Sequence, residues 1–410
     1  PLVFVPCLEK GRGTGHIRRL SGIIERLRDD WLCLLYVPQD GEIVCEIPEP
    51  VRDRVITRLP PQAHLVIVDR FRTGVSDMHS FREVGPVLAI DDGGPGRHFA
   101  DFILDIIPGI PGKLCRANLA DSAFLPLPVN RRQKSVREIR TALVVGGGED
   151  AAGLALPAAR MFAELDLEVT VIDPTRKGIK IEENGLTLSG PVSGLRETLC
   201  HYDLVVTHYG FTAFEALAAG CRVILFSPSR YHYRLGKTHG FSVMRPRKLS
   251  VARIKRILDR GPAIPGIITH ETTQRDLCAE LLRIASRSWR PCPLCGSRST
   301  RHIEARFAER TIVRCPSCGM TYLSFLVSDP RTYSRSYFFD EYKAQYGRTY
   351  LEDFESIQKT GDNRLATIGR VLSSSFSRGF VPERTILDIG CAYGPFLAAA
   401  QAGGWKVYGT

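Results

Sequence analysis

Short, almost unbroken apolar runs recur along the first third of the chain: Leu2–Pro6, Trp31–Val37, His64–Asp69, Pro86–Ile90 and Asp101–Asp105. Runs this short, bounded by turn residues, read as strands buried on both faces. Between the first two, Ile17, Leu20, Ile23, Ile24 and Leu27 recur at helical spacing, which predicts a helix over Ile17–Arg28. Leu125-Pro-Leu-Pro128 and the charged run to Arg140 read as a connection, after which the pattern starts again. Ala142–Val145, Glu168–Ile172, Leu204–Thr207 and Val223–Phe226 are predicted strands; Leu154–Leu165, Thr212–Ala219, about Ser250–Asp259 and Thr269–Arg287 are predicted helices. Strands alternating with helices imply parallel sheets covered on both faces. Two such α/β lobes, 1–128 and 140–287, place a ligand cleft between them. From Trp289 to Tyr322 the composition shifts to Cys, Arg and turn residues, and Asp329–Phe380 is Tyr-rich and helical. The last stretch, 381–410, reads as a buried strand, a glycine turn, a small-residue helix and the start of a second strand.

Composition narrows this picture. A chain of 410 residues is too long for one core and suggests two or three domains. No apolar run approaches the roughly 18–20 residues that span a bilayer, and no signal peptide is visible. The net charge of +11 comes from scattered residues with no Lys/Arg block of five. It therefore reads as a surface that meets anionic nucleotides or a membrane-associated substrate, with no nucleic-acid partner. Of 12 Cys, four form two Cys-x-x-Cys units and others, such as Cys33, Cys200 and Cys221, lie among apolar neighbours. That is a reduced, cytoplasmic pattern and not a disulfide framework. The chain opens at Pro1 inside a strand-like run and stops at Thr410 within a βαβ step, so it reads as a fragment of a larger multi-domain enzyme.

Cys292-Pro-Leu-Cys295-Gly and Cys315-Pro-Ser-Cys318-Gly are separated by nineteen residues. Each pair brings two thiolates to one side of an ion, and the following Gly permits the turn that aims backbone N–H groups at sulfur. Four thiolates close a tetrahedral shell around zinc with no open position, which predicts a structural zinc ribbon over 288–325. Arg290, Arg298, Arg301 and Arg314 read as offsetting thiolate charge.

Asp388-Ile-Gly390-Cys391-Ala-Tyr-Gly394 resembles the first motif of class I S-adenosylmethionine-dependent methyltransferases. A zinc ribbon, a Tyr-rich helical connector (330–380) and this βα unit together resemble the zinc-ribbon methyltransferases of sugar and surface-polysaccharide gene clusters. The resemblance covers roughly residues 290–410. It implies S-adenosylmethionine held at Asp388, Gly390, Cys391 and Gly394, and a sugar or carrier-linked glycan as methyl acceptor. The family's middle glycine is Ala392 here, and the acidic residue expected for the ribose hydroxyls would lie beyond Thr410.

In the first lobe Gly13-Thr14-Gly15-His16-Ile-Arg18-Arg opens a helix directly after a strand. Glycines there suit an anionic diphosphate or a nucleophilic water, and a His in the first helical turn suits proton transfer. Val68-Asp69-Arg-Phe71 and Ala89-Ile-Asp91-Asp92 end strands at the same edge. In the second lobe Gly146-Gly147-Gly148 is another glycine loop. His208-Tyr-Gly210-Phe211-Thr212-Ala-Phe-Glu215 offers helix N-terminal N–H groups for phosphate and a carboxylate for ribose. Over residues 1–285 these motifs resemble the UDP-sugar hydrolases of pseudaminic acid biosynthesis, relatives of the two-lobed GT-B glycosyltransferases. The resemblance implies two Rossmann-like lobes, His16 as general base, Asp69 as a second catalytic residue, and a sugar and phosphate loop of Gly13, Thr14, Gly15 and Arg18. It also implies UDP held by Gly146, Gly147, Gly148, Gly210, Phe211, Thr212 and Glu215. Three positions depart from the family: Phe71 replaces a tyrosine, Tyr209-Gly210 replaces paired glycines, and Cys221-Arg222 replaces a proline.

Three functions remain open from sequence. The first is a hydrolase of a UDP-linked amino-sugar fused to a methyltransferase, in surface or protein-linked glycan biosynthesis. The second is a GT-B glycosyltransferase that uses the same residues on a hydroxyl acceptor. The third is a non-catalytic sugar-nucleotide scaffold for the methyltransferase.

Overall fold

The computed structural model describes residues 1–9, 15–38, 47–109, 112, 114–133, 136, 138–147, 150, 153–173, 181–183, 185–245, 250–261, 265–289, 291–297, 302–326, 334–375 and 384–410. The chain divides into two compact units, Pro1–Ser328 and Asp329–Thr410.

The first lobe carries β1 (Leu2–Pro6), β2 (Cys33–Tyr36), β3 (Val55–Ile56), β4 (Leu65–Asp69), β5 (Val87–Ile90), β6 (Phe102–Asp105) and β7 (Leu119–Ala120), with helices α1 (Gly15–Leu27) and α2 (Val75–Val84). The strand order is β3-β2-β1-β4-β5-β6-β7, and the pairings along it are parallel. β1, β4 and β5 are buried end to end, which accounts for their unbroken apolar sequence. Helix α1 turns Ile17, Leu20, Ile23, Ile24 and Leu27 inward, and Arg19 with them.

The second lobe repeats this plan. Its strands are β8 (Thr141–Val145), β9 (Glu168–Ile172), β10 (Ile181–Glu183), β11 (Leu186–Ser189), β12 (Leu204–Thr207), β13 (Arg222–Phe226) and β14 (Ser242–Met244), in the order β10-β11-β9-β8-β12-β13-β14. Only β10 runs antiparallel among these described strands. Its helices are α3 (Ala155–Ala163), α4 (Leu195–Thr198), α5 (Phe211–Ala218), α6 (Arg230–Thr238) and α7 (Val251–Asp259). Without β7 and β10, both sheets show the doubly wound dinucleotide-fold order 3-2-1-4-5-6. The order in which strands are added therefore reverses between β1 and β4 in one lobe, and between β8 and β12 in the other.

The predicted helix Thr269–Arg287 is shorter and lies elsewhere than expected. It forms only as α8 (Leu277–Ala285), because the Asp276 carboxylate accepts from the N–H groups of Cys278 and Ala279 and starts the helix there. The chain has by then returned to the first lobe. Asp276 pairs with Arg26 at 2.7 Å, Arg275 with Asp121 at 2.9 Å, and Gln274 accepts from the N–H of Leu127 at 3.1 Å. The outward crossing, near Pro128–Arg132, and this return are tied together. Arg131 donates to the carbonyl oxygens of His270 (3.1 Å) and Thr272 (2.6 Å).

The ribbon follows with β15 (Ser288–Trp289), β16 (His302–Phe307), β17 (Arg310–Arg314), β18 (Thr321–Leu323) and β19 (Phe325–Leu326); β16-β17-β18 form an antiparallel sheet. It docks on the first lobe. Asn118 Nδ2 donates to the carbonyl of Phe307 at 2.8 Å and to Thr311 Oγ1 at 3.0 Å. Thr311 Oγ1 donates to the Asp101 carbonyl at 2.7 Å, and buried Arg306 donates to the carbonyls of His98 (3.0 Å) and Ala100 (2.7 Å). Glu309 pairs with Arg283 and Arg287. These contacts sit beside the starts of β6 and β7, at the opposite end of the strands from the candidate site.

In the second unit α9 (Tyr342–Tyr346) and α10 (Phe354–Ser375) accompany β20 (Thr385–Asp388), α11 (Pro395–Ala402) and β21 (Lys406–Gly409), with β20 and β21 parallel. The segment expected to be a connector packs on the βαβ step. A Cβ on Gly361 of α10 would lie 3.2 Å from Ala399 and Phe396, and Phe338 sits edge-on to Tyr393 at 5.1 Å. Among the described residues no helix is long and apolar enough to cross a membrane.

Candidate functional site

The first lobe assembles a four-residue cluster at its switch point. His16 is the second residue of α1, and Asp69 ends β4 beside it. His16 Nδ1 is 2.6 Å from Asp69 Oδ1. Arg19, one helical turn beyond His16, donates from Nε to Asp69 Oδ2 at 2.7 Å and from a terminal nitrogen to Oδ1 at 2.6 Å. Its other terminal nitrogen donates to Asp91 Oδ2 at 2.8 Å. Burial acts to raise the Asp69 pKa, yet Arg19 and His16 overcome it and hold the carboxyl at about 2. Burial acts against the Arg19 charge, but the two carboxylates raise its pKa well above the ordinary value. Burial raises the Asp91 pKa, with Arg19 partly offsetting it. An ionised Asp69 can only accept, so His16 donates to it from Nδ1, and in the neutral ring Nε2 is the nitrogen left to accept a proton. That is the arrangement of a general base.

The sequence pointed to Arg18, which is exposed; the buried cation of the cluster is its neighbour Arg19. The inward face of α1 (Ile17, Leu20, Ile24) was the signal that could have separated them. The paired aspartates also divide. Asp91 faces Arg19, whereas Asp92 Oδ1 accepts from the N–H groups of Thr73 (3.1 Å) and Gly94 (2.7 Å) and shapes the loop. Gly13, Thr14 and Gly148 lie outside the described residues.

The second lobe meets this cluster with its own switch point. Gly147, after β8, has φ +82°, and a Cβ there would lie 2.5 Å from His208 Nε2. A Cβ on Gly210 would lie 3.2 Å from the same ring. Gly147 and Gly210 are thus both packed against His208, to which the sequence reading gave no role; burial lowers its pKa. Phe211, the first residue of α5, covers Arg19 at 4.8 Å from ring centre to guanidinium carbon. Phe71 packs edge-on to Tyr231 of α6 at 6.3 Å. Tyr209 Oη donates to the Pro108 carbonyl at 2.7 Å, and His239 Nε2 lies 2.8 Å from the Gly109 carbonyl, so the lobes are joined along this edge. Glu215 is not a free carboxylate: Arg196 Nε donates to its Oε1 at 3.0 Å. Burial raises its pKa and Arg196 offsets that. Thr212 is partly exposed in the first turn of α5.

The four ribbon cysteines converge. Their sulfur atoms all lie within 4.8 Å of one another, with Cys292–Cys318 at 3.5 Å and Cys295–Cys315 at 3.6 Å. A tetrahedral zinc with bonds of about 2.3 Å sets sulfur–sulfur edges of about 3.8 Å, so the donor set fits. The two turns are copies of each other. Gly296 N–H donates to the Cys292 carbonyl and Gly319 N–H to the Cys315 carbonyl, both at 2.9 Å. Both glycines have positive φ, +68° and +77°.

In the second unit Gly390 (φ +83°), Ala392 (φ +51°) and Gly394 (φ +76°) make the turn after β20 left-handed at three positions. A Cβ at Gly390 would meet nothing within 4 Å, which leaves the backbone open on that side. Asp388 ends β20, and Cys391 Sγ lies 2.6 Å from where a Gly409 Cβ would be.

No protein-family model matches the chain, and no curated protein does. Among solved structures it is similar to MurG of Acinetobacter baumannii, with TM-score 0.46 and 11% identity over 69% of this chain and 98% of that one. It is also similar to SnogD, a glycosyltransferase of Streptomyces nogalater, with TM-score 0.43 and 13% identity over 70% and 99%. The spinosyn forosaminyltransferase SpnP gives TM-score 0.42 and 12% identity over 69% and 94%. At such scores the likeness assigns no substrate, and function rests on the residues of the chain itself.

Proposed function

We propose that the two lobes form a nucleotide-sugar enzyme that moves a glycosyl group from UDP to an oxygen nucleophile, with His16 as general base. The nucleophile is an acceptor hydroxyl in the glycosyltransferase reading and water in the hydrolase reading. The observation that carries the proposal is the His16–Asp69 pair, 2.6 Å apart at one switch point and facing the glycine turns of the other. His16 Nε2 takes the proton of the nucleophile as its oxygen bonds to the sugar carbon. The bond to UDP breaks, and the N–H groups opening α5, after Gly210, meet the leaving diphosphate. Gly146, Gly147, Phe211, Thr212 and Glu215 are assigned to UDP, the last through its pair with Arg196.

His16→Asn should lower turnover of a UDP-linked amino-sugar by roughly 10²–10⁴-fold and leave UDP affinity nearly unchanged, because UDP is held by the other lobe. In ¹⁸O-labelled water, hydrolysis places label in the sugar or in UDP, whereas transfer places it in neither. Binding of UDP-sugars without turnover across a broad panel would discard both enzymatic readings in favour of a sugar-nucleotide scaffold.

For the remainder of the chain the same proposal assigns a structural zinc to Cys292, Cys295, Cys315 and Cys318. It assigns an S-adenosylmethionine subsite to Asp388, Gly390, Cys391 and Gly394, where the open left-handed turn lets backbone approach the cofactor. The cofactor supplies an electrophilic methyl group for a sugar or carrier-linked glycan; the chain's part is to hold and orient it.

A further inference from the structure

We infer that Arg19 is a positioning residue that keeps His16 available as a base, by drawing on the negative charge of Asp69 and fixing its direction. The inference deepens the role proposed for His16 and rests on that reading. Arg19 follows His16 by three residues on one face of α1, so both side chains reach the same carboxylate. Each Asp69 oxygen is taken. Oδ1 receives His16 Nδ1 and one Arg19 nitrogen, both at 2.6 Å, and Oδ2 receives Arg19 Nε at 2.7 Å. The carboxylate cannot turn without breaking the fork, so the Nδ1 proton and the direction of Nε2 are set together.

The charge balance matters as much as the geometry. A buried carboxylate beside an imidazole favours imidazolium, which is useless as a base. The buried guanidinium opposes this by satisfying Asp69 itself. Asp91 tempers Arg19 in turn: it takes the third guanidinium contact at 2.8 Å, while its other oxygen accepts the N–H groups of Ile106 (2.6 Å) and Ile107 (2.8 Å). The second lobe contributes the Phe211 ring over the guanidinium and the Tyr209 phenol, whose pKa burial raises, so it adds no charge near neutrality. Among the described residues, Asp69, Arg19 and Asp91 are therefore the charged groups of the cluster that bear on the imidazole. Lysine would supply the charge but not the fork.

The experiment is side-chain nitrogen NMR of the full chain labelled in histidine, with the His16 signals identified by their loss in His16→Asn. No substrate is required, so the result stands whether or not turnover is found. Arg19→Gln should move the pH midpoint of His16 upward by about one unit, a tenfold gain in proton affinity. Asp91→Asn should move it downward; asparagine tolerates the positive φ of +52° at that position and keeps an acceptor for Ile106 and Ile107. Arg19→Lys should hold the midpoint nearer wild type and weaken the preference for the proton on Nδ1. A role confined to packing would lower stability and leave the midpoint in place. An Arg19→Gln midpoint at or below wild type overturns the inference. If that variant does not fold, an Asp91→Asn midpoint at or above wild type overturns it equally.

Discussion

Chelating the zinc proposed for the four ribbon cysteines tests how far its influence extends. The ribbon's own core is four buried residues, Cys292, Val313, Cys315 and Tyr322, with Ile303 partly covered. Two of the four are the metal's own ligands, so at about 1.5–3 kcal/mol per buried side chain Val313 and Tyr322 contribute about 3–6 kcal/mol. A structural zinc contributes about 10–16 kcal/mol, as much again or more, so the metal-free ribbon should unfold. The effect should not stop at the ribbon. Asn118, Thr311 and Arg306 form the seam with the first lobe, and their loss leaves the carbonyls of His98, Ala100 and Asp101 without these partners. Hydrogen exchange with mass spectrometry, before and after chelation under reducing conditions, reads this directly. Peptides from 302–326 should lose protection, and those spanning Ala100–Asp101 and Asn118 should lose part of theirs. Peptides of β1, α1 and β4 should keep theirs. Full protection of 302–326 after metal analysis shows the zinc to be gone would refute the reasoning.

Gly147→Ala should abolish or strongly weaken UDP binding in calorimetry, because the added methyl meets His208 at 2.5 Å and φ is +82°. Asp69→Asn should destabilise the chain by about 3–5 kcal/mol near neutral pH, since it leaves Arg19 without its main counter-charge in the interior. The same comparison has a pH signature. The folded pKa of Asp69 is depressed to about 2, so its stabilisation is present above the ordinary carboxylate range and lost as pH falls towards 2. Asp91, whose pKa is raised, works in the opposite sense, so the test is the stability gap between wild type and Asp69→Asn in urea. That gap should narrow between about pH 4 and pH 2, and a constant gap counts against the assignment. Ala392→Gly should stabilise the second unit by about 1 kcal/mol by relieving the left-handed backbone at φ +51°; a neutral or negative change in thermal unfolding would argue against that strain.

Much of the fold was legible because burial on both faces of a parallel sheet writes itself as unbroken apolar runs. β1, β4, β5 and β12 are of this kind. β3 and β7 are two residues long and carry no period to read, and α2 buries only Met78 and Phe81. The cysteine quartet was legible because each Cys-x-x-Cys-Gly turn is a local pattern. His16 and Asp69 could each be placed at a strand end, but not their 2.6 Å approach across 53 residues of chain. Arg19 had no sequence signal beyond helix phase: it shares the buried face of α1, whereas Arg18, read as part of a sugar and phosphate loop, is exposed. The seam between Asn118 and Thr311 spans 193 residues of sequence and has no local signature at all.

The clasp that Arg131 forms on His270 and Thr272 has a mechanical meaning. Two strands of chain, not one, run between the lobes, and the clasp pins them side by side. A single tether would let the second lobe swing and twist. With the pair pinned, twisting one lobe on the other would have to break the Arg131 contacts. Any movement of the second lobe relative to the first would have to carry both crossings at once, through the residues that Arg131 ties.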